Sequence, residues 1–192
     1  MKRAALALAA ALLLPSAAQA RSLAREGTVA ILPSARFGST PKGLDAPAAA
    51  PGLGLAFGFK PSASFELGID VAGSMSEAKG SGGSWRILGA PLLLRASWTP
   101  TPDLDWRPVL HAGVGKALVT VDGPSYREHT PTAFFAALGV QGDLSDTIGL
   151  MADVGYLHSR ADDATLGRLD AGGAIVRAGV YFRWEPIPER RF

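Results

Sequence analysis

Large apolar residues recur at every second position along much of this 192-residue chain. From Leu53 to Lys60 they are Leu53, Leu55, Phe57 and Phe59, with Gly54, Ala56, Gly58 and Lys60 between them. From Phe65 to Val71 the odd positions are Phe, Leu, Ile and Val, and the even ones are Glu66, Gly68 and Asp70. From Val176 to Trp184 one set is Val176, Ala178, Val180, Phe182 and Trp184; the other is Arg177, Gly179, Tyr181 and Arg183. Successive side chains of a β-strand point to opposite faces, so each stretch predicts a strand with two chemically different faces. The same reading gives eight strands: Thr28–Phe37, Leu53–Lys60, Ala63–Val71, Arg86–Trp98, Trp106–Val119, Thr132–Asp143, Thr147–His158 and Asp170–Trp184. Pro33, Pro91 and Pro108 fall inside three of them. Proline has no N–H to give a ladder, so bulges are expected near Pro33 and Pro91, while Pro108 sits near a strand start.

The connections alternate in length. Pro61-Ser62, Thr99–Asp105 and Leu144–Asp146 are short; Gly38–Gly52, Ala72–Trp85, Asp122–Pro131 and Ser159–Leu169 are longer and rich in Gly, Pro, Ser, Asp and Arg. Short and long connections therefore fall at opposite ends of the strands. That is the pattern of an all-β, eight-stranded antiparallel up-and-down transmembrane β-barrel. The face chemistry supports it over a soluble barrel. Gly54, Gly58, Gly68, Gly113, Gly115, Gly139, Gly155 and Gly179 share their face with the charges. On a wet surface those glycines would weaken strands without a packing reason. In the crowded interior of a small membrane barrel, small residues fit and charges pair. The expected lumen network is Lys60, Glu66, Asp70, Arg95, Asp153, Arg177 and Arg183. Trp98, Trp106 and Trp184 fall at one rim and Trp85 at the other, predicting an aromatic girdle at the membrane interfaces.

Composition narrows the class. Hydrophobic residues make up 47% of the chain, against intrinsic disorder. There is no cysteine, which excludes disulfides, thiolate metal sites and a cysteine nucleophile. Lys2 and Arg3 account for the formal net charge of +2, and positions 21–192 balance 17 acids with 17 bases. A neutral remainder argues against nucleic acid as a partner. Lys2 and Arg3, the apolar run Ala4–Leu14, the break at Pro15-Ser16 and Ala18-Gln19-Ala20 form an expected signal peptide over 1–20, with cleavage before Arg21. The run is too short for a helical span, and no later segment reaches 18 consecutive apolar residues. The expected organisation is a signal at 1–20, a barrel at 21–184 and a short periplasmic tail at 185–192.

Arg177-Ala-Gly-Val-Tyr-Phe-Arg-Trp184 resembles the final strand of Gram-negative outer membrane barrels. Their assembly signal sets a polar residue two before a glycine and ends on two hydrophobics separated by one residue. Arg177, Gly179, Phe182 and Trp184 fit it. Leu110–Gly115 and Gly149–Tyr156 look like strands of the small OmpA/OmpX-like "porin family" barrels. The resemblance implies an outer membrane location, recognition by the barrel assembly machinery, and contact with outer membrane lipids and lipopolysaccharide. Two departures stand out. Glu185–Phe192 follow the last strand, with Pro186 and Pro188 blocking its continuation, so either Trp184 or Phe192 is the terminal signal. OmpA itself carries a periplasmic peptidoglycan-binding domain, and nothing here corresponds to it.

The residues that could carry chemistry read as structural. His111 falls on the predicted inward face with no second ligand near it, and His129 follows Arg127 and Glu128 in a long loop. His158 and Ser159 are adjacent, hence on opposite faces, whereas the lipid A deacylase places its serine two residues beyond the histidine. Gly113-Val-Gly-Lys116 lacks the spacing of a phosphate loop, and neither Asp162-Asp163 nor Asp103-Leu-Asp105 makes a calcium loop. No catalytic, cofactor or metal site is expected. Arg127, Arg160 and Arg168 would lie near lipopolysaccharide phosphates. The leading function is structural or surface interaction through four outer loops, whose ligand the sequence leaves open. The competitors are a small-solute channel, a lipid-modifying enzyme and a secreted lipocalin-like binder.

Overall fold

The structure, a computed structural model, describes residues 26–38, 44–45, 47–80, 83–163 and 167–184. The expected signal peptide, the tail at 185–192 and with it Phe192 lie outside the described residues. Eight long strands form: β1 Glu26–Phe37, β2 Ala50–Ser62, β3 Phe65–Gly80, β4 Gly83–Trp98, β5 Trp106–Asp122, β6 Thr132–Asp143, β7 Ile148–Asp163 and β8 Gly173–Trp184. Each pairs antiparallel with its neighbour in sequence. β8 pairs back onto β1, from Gly27 opposite Trp184 to Phe37 opposite Ala174, and closes the barrel. Every predicted strand is present.

The alternation places side chains as the sequence suggests. Leu55, Phe57, Leu67, Ile69, Leu94, Phe134 and Val176 stand exposed on the outer wall. Thr28, Glu66, Asp70, Arg95, Asp153 and Arg177 are buried inside. Closure leaves no long sheet edge, the standing hazard of an all-β chain.

Two expectations need correction. Neither Pro33 nor Pro91 makes a bulge. The β1–β2 ladder runs through Pro33 opposite Leu53, and the β4–β5 ladder through Pro91 opposite Ala117, without a shift. On the other side of each proline the ladder skips two residues, at Leu32-Pro33 against β8 and Ala90-Pro91 against β3, then resumes in the same register. The missing N–H is absorbed by a gap, because the neighbouring register is fixed on both sides of it. The register shift that does occur lies at the β2–β3 turn, between Phe59 and Ser62.

The second correction concerns Ala72–Trp85, expected as a loop. β3 runs to Gly80 and β4 starts at Gly83, the two residues facing each other across a tight hairpin. Its composition reads as loop, yet Ser74 and Ala78 point inward and Met75, Glu77 and Lys79 outward. Three further short strands extend the same end. Leu44–Asp45 pairs with β3, Arg127–His129 with β5, and Gly167–Asp170 with β7.

Candidate functional site

The barrel interior divides along its length into two chemically distinct halves. The half nearer the short turns holds the buried ion chain, alongside a smaller apolar cluster of Ala30, Leu32, Ala56, Met151 and Tyr181. Arg177 of β8 grips Asp153 of β7 with two nitrogens, Nε to Oδ1 and Nη2 to Oδ2, both at 2.9 Å. Its Nη1 donates to Asp70 Oδ2 of β3 at 2.6 Å. Arg95 of β4 reaches Asp70 at 4.0 Å and donates through Nη2 to Glu66, which also accepts from Thr28 at 3.1 Å. Five of the seven predicted network residues, Glu66, Arg95, Asp70, Arg177 and Asp153, thus form one continuous chain of opposite charges. All five are buried, and charges so placed hold only when paired and hydrogen-bonded.

The other two predicted members belong elsewhere. Lys60 lies 3.8 Å from Glu26. Arg183 lies 3.2 Å from Asp143, which also accepts from Arg107 at 2.5 Å and from the Tyr181 hydroxyl. Arg107 donates to the Tyr181 hydroxyl at 2.9 Å. This second cluster sits at the short-turn rim, where Arg183 also reaches the Ser145 carbonyl at 3.3 Å. Sequence reading missed Arg107, Asp143 and Glu26, since a strand pattern fixes the face of a residue but not its partner across the barrel.

His111 is buried as expected on the inward side, with Nδ1 2.8 Å from Ser97 Oγ. Ser97 and His111 are directly opposite in the β4–β5 register. A hydroxyl on an imidazole is the first element of a nucleophile–base pair. Both residues are at most 4% exposed, walled in beside Arg95, so the pair faces packed side chains rather than a cleft. His158 and Ser159 do point to opposite sides: His158 packs against Phe134 with ring centroids 6.5 Å apart, while Ser159 is fully buried inside.

Above Arg177 the lining becomes apolar. Its guanidinium lies 4.6 Å over the Phe135 ring, which marks the boundary. Beyond it Ile87, Val119, Phe135, Leu157 and Ile175 belong to one buried cluster. A second cluster, Ala78, Trp85, Val121 and Leu169, covers the end with Ala161 packed against it. Leu169 comes from the short strand Gly167–Asp170, which folds back on β7 and carries its side chain to 2% exposure. Gly173 then turns the chain into β8 with φ +131°, a backbone state that side-chain-bearing residues rarely adopt.

Polar contacts hold this cover in place. Asp163 accepts from Arg127 Nη1 at 2.6 Å and lies 3.0 Å from His129 Nε2, joining the third and fourth long connections. His129, read from the sequence as a residue of a long loop, is part of this clip. Arg36 of β1 donates to the Gly172 carbonyl and to Ser74 Oγ, each at 2.9 Å. Arg160 pairs with Asp170 at 3.8 Å, and Arg168 lies in the short strand Gly167–Asp170.

Trp98, Trp106 and Trp184 stand outward at the short-turn rim, at 44%, 56% and 50% exposure. The Trp184 ring lies across Gly27 and the Trp106 ring across Gly142 of neighbouring strands. Trp85 is corrected: it faces inward and is buried in the cover. It shares parity with Arg95 ten residues on, so the same alternation that turned Arg95 inward turns Trp85 inward. Of the proposed assembly-signal residues, Arg177 is the hub of the ion chain, Gly179 lies opposite Met151, and Phe182 and Trp184 face outward.

A closed eight-stranded antiparallel barrel with an apolar outer wall and charges inside is the fold of the small outer membrane β-barrels. Solved structures with this fold match most of the chain. The outer membrane protein OprG from Pseudomonas aeruginosa superposes with a TM-score of 0.58 at 13% identity, covering 85% of this chain and 97% of its own. Neisserial surface protein A (NspA) gives 0.52 at 12% identity, covering 84% and 96%. Ail, the attachment invasion locus protein of Yersinia pestis, gives 0.52 at 11%, covering 83% and 99%. No protein-family model matches the chain, and no curated protein matches it in sequence.

Proposed function

We propose that the chain is an integral outer membrane protein with a side-chain-filled lumen, acting structurally or in surface interactions through its outer loops. The observation that carries this reading is the height of the apolar wall. On β4 the outward residues are apolar from Leu88 to Trp98, and the next one out, Arg86, is charged. On β3 the change falls between Met75 and Glu77. Ten residue steps at a barrel tilt of about 40° give an apolar band of roughly 25 Å, the thickness an outer membrane barrel presents to lipid. The lumen holds a buried ion chain below and an apolar pack above, which supports a plugged interior over an open channel. Export through a cleaved signal and engagement of the barrel assembly machinery belong to the same reading.

Membrane fractionation with a heat-modifiability gel tests it. The protein is expected in the outer membrane fraction, migrating faster before boiling than after. Recovery as a soluble periplasmic protein would overturn the reading. Large, stable conductance in a planar bilayer would overturn the plugged lumen while leaving the location intact.

A further inference from the structure

Lys116 is the residue of the outer wall that barrel packing leaves unexplained. It faces outward on β5 between Val114 and Leu118, which are 48% and 40% exposed, and it lies opposite Leu92 of β4. Its Nζ donates to Thr132 Oγ1 at 3.1 Å, a neutral partner, and among the described residues it makes no ion pair. An ammonium on an apolar wall beside a hydroxyl is short of a counter-charge, and none of the described residues pairs with it.

Two more bases share its surroundings. Thr132 starts β6, and the register that pairs Phe134 with His158 and Ala133 with Ser159 brings Arg160 of β7 to the level of Thr132. Arg160 is exposed, and Asp170 approaches it at 3.8 Å, beyond hydrogen-bond length; Asp162 lies two residues further out. His158 is half-buried on the same wall, one level inward beside Phe134. Lys116 and Arg160 flank β6 at two strand spacings, about 10 Å between backbones, which two long side chains bridge around a phosphate.

We propose that Lys116, His158 and Arg160, with Thr132, form a site on the outer wall for the phosphate of an anionic lipid, its acyl chains lying along Val114 and Phe134. The site rests on the membrane reading above. A phosphate there neutralises the lone ammonium, completes the loosely paired Arg160 and takes the Thr132 hydroxyl as a further donor. The acyl chains continue onto the wall that already faces hydrocarbon.

The full barrel, folded in phosphatidylcholine vesicles, would be titrated with bisphosphorylated lipid A, dephosphorylated lipid A and inorganic phosphate. Retention of a fluorescent lipid is the readout. The wild type should retain the phosphorylated lipid in preference to the dephosphorylated one, and inorganic phosphate at equal concentration should not displace it. K116Q and R160Q should each weaken retention about fivefold, the worth of one basic side chain at a charged lipid surface. K116R should keep it. Equal retention of both lipids, K116Q matching wild type, or displacement by inorganic phosphate would overturn the site. A barrel recovered outside the vesicles would overturn the membrane reading, and the site with it, a result distinct from insertion without phosphate preference.

Discussion

Arg177 and Leu169 are both 2% exposed inside the same barrel, and they are held by opposite means. Arg177 makes charged hydrogen bonds to carboxylates on two strands, one of them 107 residues away in sequence. Leu169 makes no polar side-chain contact and packs with Ala78, Trp85 and Val121. The inner half specifies its partners by charge and geometry, so one lost member leaves another stranded. The outer half is filled by volume, and a lost member leaves a void. The same alternating strands supply both, so the difference lies in which side chains share a level inside.

The largest break should come from Arg177→Ala. It leaves Asp153 buried without a cation and Asp70 with only Arg95 at 4.0 Å, and about 3–5 kcal/mol of unfolding free energy should be lost, read from urea unfolding of the barrel folded in vesicles. Replacing all three by R177M, D70N and D153N together should recover most of that loss, because the penalty belongs to the stranded charges. Full loss in the triple variant would assign the effect to packing instead. Leu169→Ala should cost less, about 2–3 kcal/mol, by emptying part of the outer cluster. It should also speed amide exchange in Gly167–Asp170 while the strands around Arg177 keep their protection. Asp163→Asn should cost about 1–2 kcal/mol by weakening the clip to Arg127 and His129. Uniform melting in any of these last two would argue against separable halves. Arg86→Gln, at an exposed pair with Glu77, should change stability by less than about 0.5 kcal/mol.

Much of this arrangement is legible in the sequence. Leu53–Lys60 and Val176–Trp184 announce both the strands and their outward faces, since a period of two converts directly into sides. The charges of the ion chain are also legible as inward residues. Their partners are not: Asp70 meets Arg177 only after β8 closes onto β1. The apolar outer lumen is hidden for another reason. On β4, Ile87 and Leu93 face inward while Leu88, Leu92 and Leu94 face outward, so hydrophobicity no longer distinguishes the sides. Residues 72–85 hid a hairpin because Gly, Ser and Ala carry little pattern, whereas parity with Arg95 already held the orientation of Trp85. The outward Lys116 follows from parity with Val114; its value lies in the neighbours that only the β6–β7 register reveals.

The ion chain also bears on how such a molecule is assembled. Asp70 belongs to the third strand, Asp153 to the seventh and Arg177 to the eighth. In a partly built sheet Asp70 has only Arg95 at 4.0 Å, a cation already shared with Glu66, and Asp153 gains its guanidinium when β8 supplies Arg177. The hydrogen-bonded pairing of both Asp70 and Asp153 is therefore completed only when β8 meets β7 and β1. The charge balance of the lumen is thus completed by the last strand rather than the first.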